Sequence, residues 1–506
     1  MRRPIAGRGP RRSPHFGRLP LVLGAALAAC ATDGALPGDG PSPDAPRGGG
    51  PTGGPTGGPA CGLAAAAFCD TFDRPASAGG RAGELDPARW SAGRLQPQLP
   101  TAPGQTFAIG TATLPACRAD LPAKVFPDHD TVICDANEHI HSPHLLVAAA
   151  AQNYGINSYR IRQPFDFAGR TGKIVFDAEG YNRQLLGWIS IEVTEDPIAV
   201  PSYAVLTNDE GGIIPKNGLE LQFNQTCNTS PPTLFAVTAV HVFHDYADTI
   251  AYADYRGPKQ APCVAASVGQ LNHFEVEVSQ NRVAVFVSPA SADGVTFAPA
   301  ALMFETPVDL PFTRGYVHIS THNHATRKYS EGNSMDAWVA RWDNVGFDGP
   351  ILSGWREAEV PDAQSPVAGA SPAMSIGYRV ADEAQGPAQT LHFAGVDPHG
   401  ATSARIALSA WYLDDSSPLT NFNLRYRLNG GPWHDRRLTA GEITARTAPV
   451  IIGASPGGSQ GAIGQMLEVP VSELVSGDNR LELVTAGVPQ NYPPAVVNVD
   501  LILADP

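Results

Sequence analysis

GWISIEV (Gly187–Val193) and LELQF (Leu219–Phe223) decide the reading of the fold. Successive side chains of an extended strand point to opposite faces. In the first stretch Ile189, Ile191 and Val193 therefore share one face, and Trp188, Ser190 and Glu192 share the other. In the second, Leu219, Leu221 and Phe223 oppose Glu220 and Gln222. YRIRQPF (Tyr159–Phe165) sets Tyr159 and Ile161 against Arg160 and Arg162, and GYVHISTHNH (Gly315–His324) sets Val317 and Ile319 against Tyr316, His318 and Ser320. Such period-two alternation, closed at each end by turn residues, predicts half-buried strands. GKIVFDAEG (Gly172–Gly180) and FEVEVSQNRVAVFVSP (Phe274–Pro289) follow the same rule, and 52 glycines and 47 prolines supply the turns. The chain is expected to be all-β, with sheets packed through their apolar faces.

Its 506 residues allow two or three domains, and 43% hydrophobic residues furnish a sizeable core. Charged residues make up only 17%, with a formal net charge of -14. That balance argues against a nucleic-acid partner, because phosphates call for a basic surface.

Six arginines, from Arg2 to Arg18, precede LPLVLGAALAAC (Leu19–Cys30). The apolar run is too short to span a bilayer and reads as a secretory signal over residues 1–30. Leu27-Ala28-Ala29-Cys30 resembles a bacterial lipobox, which implies a lipid on Cys30 and anchoring at the outer membrane or cell surface. Residues 31–60 are rich in glycine and proline and have little to bury; they are expected to form a disordered tether. Six further cysteines, an even number in an exported chain, predict disulfides. Pairing neighbours in sequence gives Cys61–Cys69, Cys117–Cys134 and Cys227–Cys263, with other pairings open. Zinc is the rival use of these thiols, but no C-x2-C pair is present.

FCDTFDRP (Phe68–Pro75), LDPARW (Leu85–Trp90), FDFAGRTGKIVFD (Phe165–Asp177) and AWVARWDNVGFDGP (Ala337–Pro350) together resemble the concanavalin A-like lectin and glucanase superfamily. The resemblance covers residues 61–350 and implies a two-sheet jelly roll whose opening and closing strands are neighbours. Asp70 or Asp73 and Asp343 would then share a structural calcium, or serve as ordinary strand-end carboxylates; no other cofactor is expected. Residues 351–506 read as a smaller, accessory β-sandwich, similar to those that follow carbohydrate-active domains. LRYRLNGGPWHDRRL (Leu424–Leu438) is its hairpin, turning at Asn429-Gly430-Gly431. Trp433 either stacks on a sugar or packs on its own sheet.

In the superfamily one sheet curves into a groove. The resemblance places Arg160, Arg162, Trp188, Glu192, Glu220, Gln222 and His318 along it, a set suited to an oligosaccharide: polar groups bond hydroxyls and an indole covers a ring face. The glucanase acid motif, E-x-D-x-x-E or E-x-D-x-E, is absent, so binding is favoured over hydrolysis. A cleaving enzyme of the same fold, hydrolase or lyase, and a structural envelope protein are the alternatives. Histidines also cluster, at His139, His141 and His144, at His241 and His244, and at His318, His322 and His324. His318 is expected on the groove wall, and His322 and His324 in a polar loop. A metal held by several of these loops is the minority reading.

Overall fold

The computed structural model describes residues 61–505 apart from 74–80, 83, 96–106, 110–130, 136–143, 151–154, 182–186, 199–212, 225–233, 254–263, 266–270, 292–295, 324–334, 353, 361–377, 412–422, 448–461 and 487–493. The pairings expected for Cys117 and Cys263, the lipidation at Cys30, and His139, His141 and His324 lie outside them.

The alternating segments form two nine-stranded sheets, each a path of seven strands with two more pairing off it. One runs Ala247–Ala253, Leu234–His244, Gly218–Asn224, Gly187–Thr194, Arg314–Asn323, Gly155–Ile161 and Trp90–Leu95. The other runs Ala301–Pro307, Arg282–Ser288, Asn272–Ser279, Gly172–Tyr181, Met335–Asp348, His144–Ala150 and Thr131–Asp135. Along both paths neighbours are antiparallel, and the opening strand Ala66–Asp70 pairs with the closing strand Met335–Asp348. The faces predicted to be apolar meet in one core. Ile189, Ile191, Val193, Leu219, Leu221, Phe223, Val317, Ile319, Tyr159 and Ile161 are all buried there. Phe176 stacks on Phe274 at 5.0 Å and meets Phe223 edge-on at 5.8 Å, tying one sheet to the other. The sheets thus make an all-β sandwich.

A second core is built from residues 380–503, joined by Ile214, Phe243, Tyr246 and Val360. It lies between a six-stranded sheet (Ile213–Ile214, Ala462–Val469, Ser403–Trp411, Ala495–Ala504, Trp355–Glu359 and, off the path, Tyr378–Arg379) and a four-stranded one (Gln389–Val396, Gly477–Ala486, Asn423–Leu428 and His434–Arg437). The hairpin expected at Leu424–Leu438 is present. Asn429 and Gly430 take φ of 51° and 74°, which a tight turn of the type favoured by Asn-Gly requires. Trp433 packs on its own hairpin, under the guanidinium of Arg427 at 4.4 Å.

Ile213–Ile214, far upstream in sequence, pairs in parallel with Ala462–Ile463 and so completes the edge of the second sandwich. Nearby, the two-residue hairpin turn Asp245–Tyr246 holds both residues at positive φ. It sends the Tyr246 hydroxyl into the second sandwich, where it donates to Glu442 at 3.1 Å and to the Gly464 carbonyl at 3.1 Å. The expected Cys61–Cys69 disulfide is formed.

Candidate functional site

The outward face of the Gly187–Thr194 sheet carries a polar row fixed by register. His241 lies opposite Glu220, Glu220 opposite Glu192, Glu192 opposite His318, His318 opposite Arg160 and Arg160 opposite Ser91. One step along, Gln222, Ser190, Ser320 and Ser158 form a parallel row. A further step sets His322 opposite Trp188. Five of the seven residues expected in a groove, Arg160, Glu192, Glu220, Gln222 and His318, thus share one face. Arg162 lies just past the end of its strand, and Trp188 is placed by register alone.

The face is not open to solvent. Arg160, Glu192, Glu220 and His318 are each 0% exposed, and Gln222 is buried. Strands Trp355–Glu359 and Ala495–Ala504 of the second sandwich account for the two arginines. Arg160 Nη2 donates to Glu357 Oε1 at 2.5 Å, and Arg162 Nη2 donates to Glu359 Oε1 at 2.7 Å. Arg81 joins them: its Nη2 donates to Asp500 Oδ1 at 2.6 Å and its Nε to the Ala92 carbonyl at 2.6 Å. Arg160 and Arg162 are therefore engaged in joining the two sandwiches rather than lining an open groove.

Burial opposes the charge on Arg160, but Glu357 and Asp500 outweigh it and hold the guanidinium above its ordinary pKa. Burial likewise opposes ionisation of Glu357, and Arg160 and Arg162 overcome it, so its carboxyl sits low. Asp500 is pushed up to about 7 by burial, with Glu357 and Glu359 adding to it and Arg81 working against it. His318 lies between Thr194 Oγ1 (2.8 Å from Nε2) and Ser158 Oγ (3.2 Å from Nδ1). Burial, then Arg160, drives its pKa well below the ordinary value, so the ring is neutral. Glu192 is driven well above the ordinary carboxyl range by burial and by Glu220, against a hydrogen bond from Ser320.

His322, expected in a loop, is the penultimate residue of strand Arg314–Asn323 and is fully buried on the polar face. Carrying the alternation His318, Ser320 one step further would have placed it there. His241 pairs with Asp248 at 3.0 Å and His244 is exposed.

Two of the expected calcium carboxylates, Asp70 and Asp343, have protein donors, while Asp343 Oδ2 is buried and accepts no hydrogen bond. Asp70 accepts from the Phe72 amide at 3.0 Å and from Trp90 Nε1 at 2.8 Å, and pairs with Arg89 at 3.0 Å. Asp343 accepts from the Asn344 amide at 2.7 Å. Among the described residues, potential metal-ligand atoms converge within 4.8 Å at two other places: Glu192, Glu220 and His322, and Glu357, Glu359 and Asp500.

Where the polar face ends, a cavity of about 620 Å³ opens between the sandwiches. Tyr316, two residues before His318 and on the same face, forms its inner wall with Trp355, their rings 5.7 Å apart. Arg405, paired with Asp196 at 3.2 Å, lies across from them. Arg314 and Lys216 are exposed at the rim, beside Glu468. Nothing in the sequence flagged this cavity, because its walls come from segments up to some 300 residues apart: Pro164 and Glu468 both line it.

No known family and no curated protein matches this sequence. Among solved structures, the chain is similar to the VIP36 exoplasmic/lumenal domain in its Ca2+/Man3GlcNAc-bound form, at 13% identity over 44% of this chain and 86% of that one, with a TM-score of 0.26. It is also similar to a glycoside hydrolase family 16 endo-glucanase from Bacteroides ovatus (11% identity, 55% of this chain, 99% of that one, TM-score 0.30). LamAcat from Zobellia galactanivorans aligns at 10% identity over 56% of this chain and 98% of that one, with a TM-score of 0.31.

Proposed function

We propose that this is an exported, lipid-anchored protein that binds carbohydrate in the cavity between its two sandwiches. The cavity is the observation that carries this reading. Its volume of about 620 Å³ lies within the range of ligand sites, and it combines an aromatic wall with charged and hydrogen-bonding groups. Tyr316 and Trp355 offer ring faces to the apolar side of a sugar, and Arg314 and Lys216 offer donors to its hydroxyls or carboxylates. Binding is favoured over cleavage because Glu192 and Glu220, the cross-strand carboxylate pair of the polar face, are both fully buried. The signal-like residues 1–30 and Cys30 support export and anchoring; labelling with a radioactive fatty acid, lost in Cys30→Ser, tests that part.

For binding, the full chain is screened against a broad glycan array, with product analysis on every hit. The expected result is retention of one glycan class without new chain ends, weakened at least tenfold by Trp355→Ala and by Arg314→Ala. Hydrolytic or unsaturated products would make it an enzyme. Silence across the array, or binding indifferent to both substitutions, refutes the cavity as the site.

A further inference from the structure

Both convergent carboxylate clusters lie on or against the polar face, yet they are neutralised differently. Glu357, Glu359 and Asp500 are matched by Arg160, Arg162 and Arg81, one cation to each. Glu192 has no such partner: among the described residues no lysine or arginine pairs with it, although it is fully buried and faces Glu220 directly across the strands. Two buried carboxylates cannot both ionise side by side without a compensating charge.

The hydrogen bonds around the pair point to what compensates it. Ser320 Oγ donates to Glu192 Oε2 at 2.7 Å. Ser190 Oγ and Gln222 Nε2 donate to Glu220 Oε1 at 3.0 and 3.1 Å. Glu192 is thus held by one oxygen. The other oxygen of Glu192, Oε1, accepts no hydrogen bond and faces His322 Nε2 at 3.8 Å, beyond hydrogen-bond length. A buried oxygen left in this state needs a partner.

We propose that Glu192, Glu220 and His322 bind a divalent first-row metal ion, zinc being the best fit. An imidazole with two carboxylates suits zinc, whereas calcium and magnesium prefer all-oxygen sets. Tetrahedral bonds of roughly 2.0–2.2 Å to zinc put ligand atoms about 3.3–3.6 Å apart, so the 4.8 Å cluster closes by about 1 Å through side-chain shifts. Ser320, Ser190 and Gln222 become the outer partners that orient the carboxylates. The metal displaces the carboxyl proton from Glu192 to solvent, and its charge is balanced by the two carboxylates. This site is separate from the cavity and does not depend on glycan binding.

The test uses the full chain, stripped with a chelator, re-equilibrated with zinc and desalted. One zinc per chain is expected to be retained, and the thermal midpoint is expected to rise with the logarithm of free zinc. Glu192→Gln and His322→Gln are expected to lose both effects. Ser320→Ala keeps all three ligands and weakens zinc binding by about 10–100-fold, which keeps the test decisive if a ligand variant does not fold. Absence of retained zinc in the parent chain overturns the proposal. So does zinc retained with undiminished affinity by every variant that folds, since that metal would sit on surface histidines.

Discussion

The Arg160–Glu357 pair offers the sharpest test of how the sandwiches are joined. Its two charged groups meet at 2.5 Å, and each side chain is 1% exposed. Removing one member of such a pair strands the other, at a cost of about 3–5 kcal/mol. Arg162 Nη1 lies 3.8 Å from the second oxygen of Glu357 and remains after Arg160 is gone. The expected cost of Arg160→Met is therefore near the low end, about 3 kcal/mol, and Glu357→Met costs a similar amount by leaving Arg160 only the more distant Asp500, at 3.8 Å. The double variant strands neither, so its cost falls well below the sum, with a coupling of at least about 2 kcal/mol. Urea unfolding of the full chain, followed by the fluorescence of its seven tryptophans, measures this. Additive costs, or single costs below about 1 kcal/mol as for surface pairs, would refute the buried-pair reasoning.

Two buried groups set opposing pH slopes. His318, with its pKa held well below the ordinary value, stays neutral where the unfolded chain takes up a proton. Native stability therefore falls as pH drops below about 6.5, at up to about 1.4 kcal/mol per pH unit. Asp500, pushed up to about 7, keeps its proton where the unfolded chain has released it. From about pH 4 to 7 it makes stability fall as pH rises, by a few kcal/mol in all. Relative to the parent, His318→Gln should steepen the downward slope with pH, and Asp500→Asn should tilt the profile upward; parallel profiles would contradict both. Replacing Cys61 and Cys69 by serine opens a loop of separation 8 and should cost about 2.5 kcal/mol under non-reducing conditions, measured by denaturant titration. Gly315→Ala would set a Cβ 2.6 Å from the Thr194 carbonyl oxygen, so a loss of about 1–3 kcal/mol in the same titration is expected. An unchanged midpoint would mean the strands part there without cost.

The alternation in GWISIEV and LELQF was enough to assign faces, because side-chain direction in a strand is local. It correctly put Ile189, Leu221 and Val317 in the core and Glu192, Glu220 and His318 on one opposite face. What covers that face is not local. The partners of Arg160 and Arg81, Glu357 and Asp500, lie 197 and 419 positions further along the chain, and no periodicity links them. The same pattern describes a solvated face and a capped one. His322 was misplaced for a different reason. The polar composition after Ser320 reads as a loop, yet the strand continues to Asn323, held by pairing to Gly155 and Gly187.

The two residues Ile213–Ile214 give the architecture a genetic meaning. An accessory domain is ordinarily a portable cassette, cut from one gene and joined to another at its linker. Here residues 351–506 would arrive in a new host without the strand that covers Ala462 and Ile463, leaving backbone groups bare at a sheet edge where foreign strands pair. They would arrive, too, without the Tyr246 side chain that joins the second core. A recombination event at position 350 thus divides the sequence but not the folded object, and the two sandwiches are expected to be inherited, lost and diversified together.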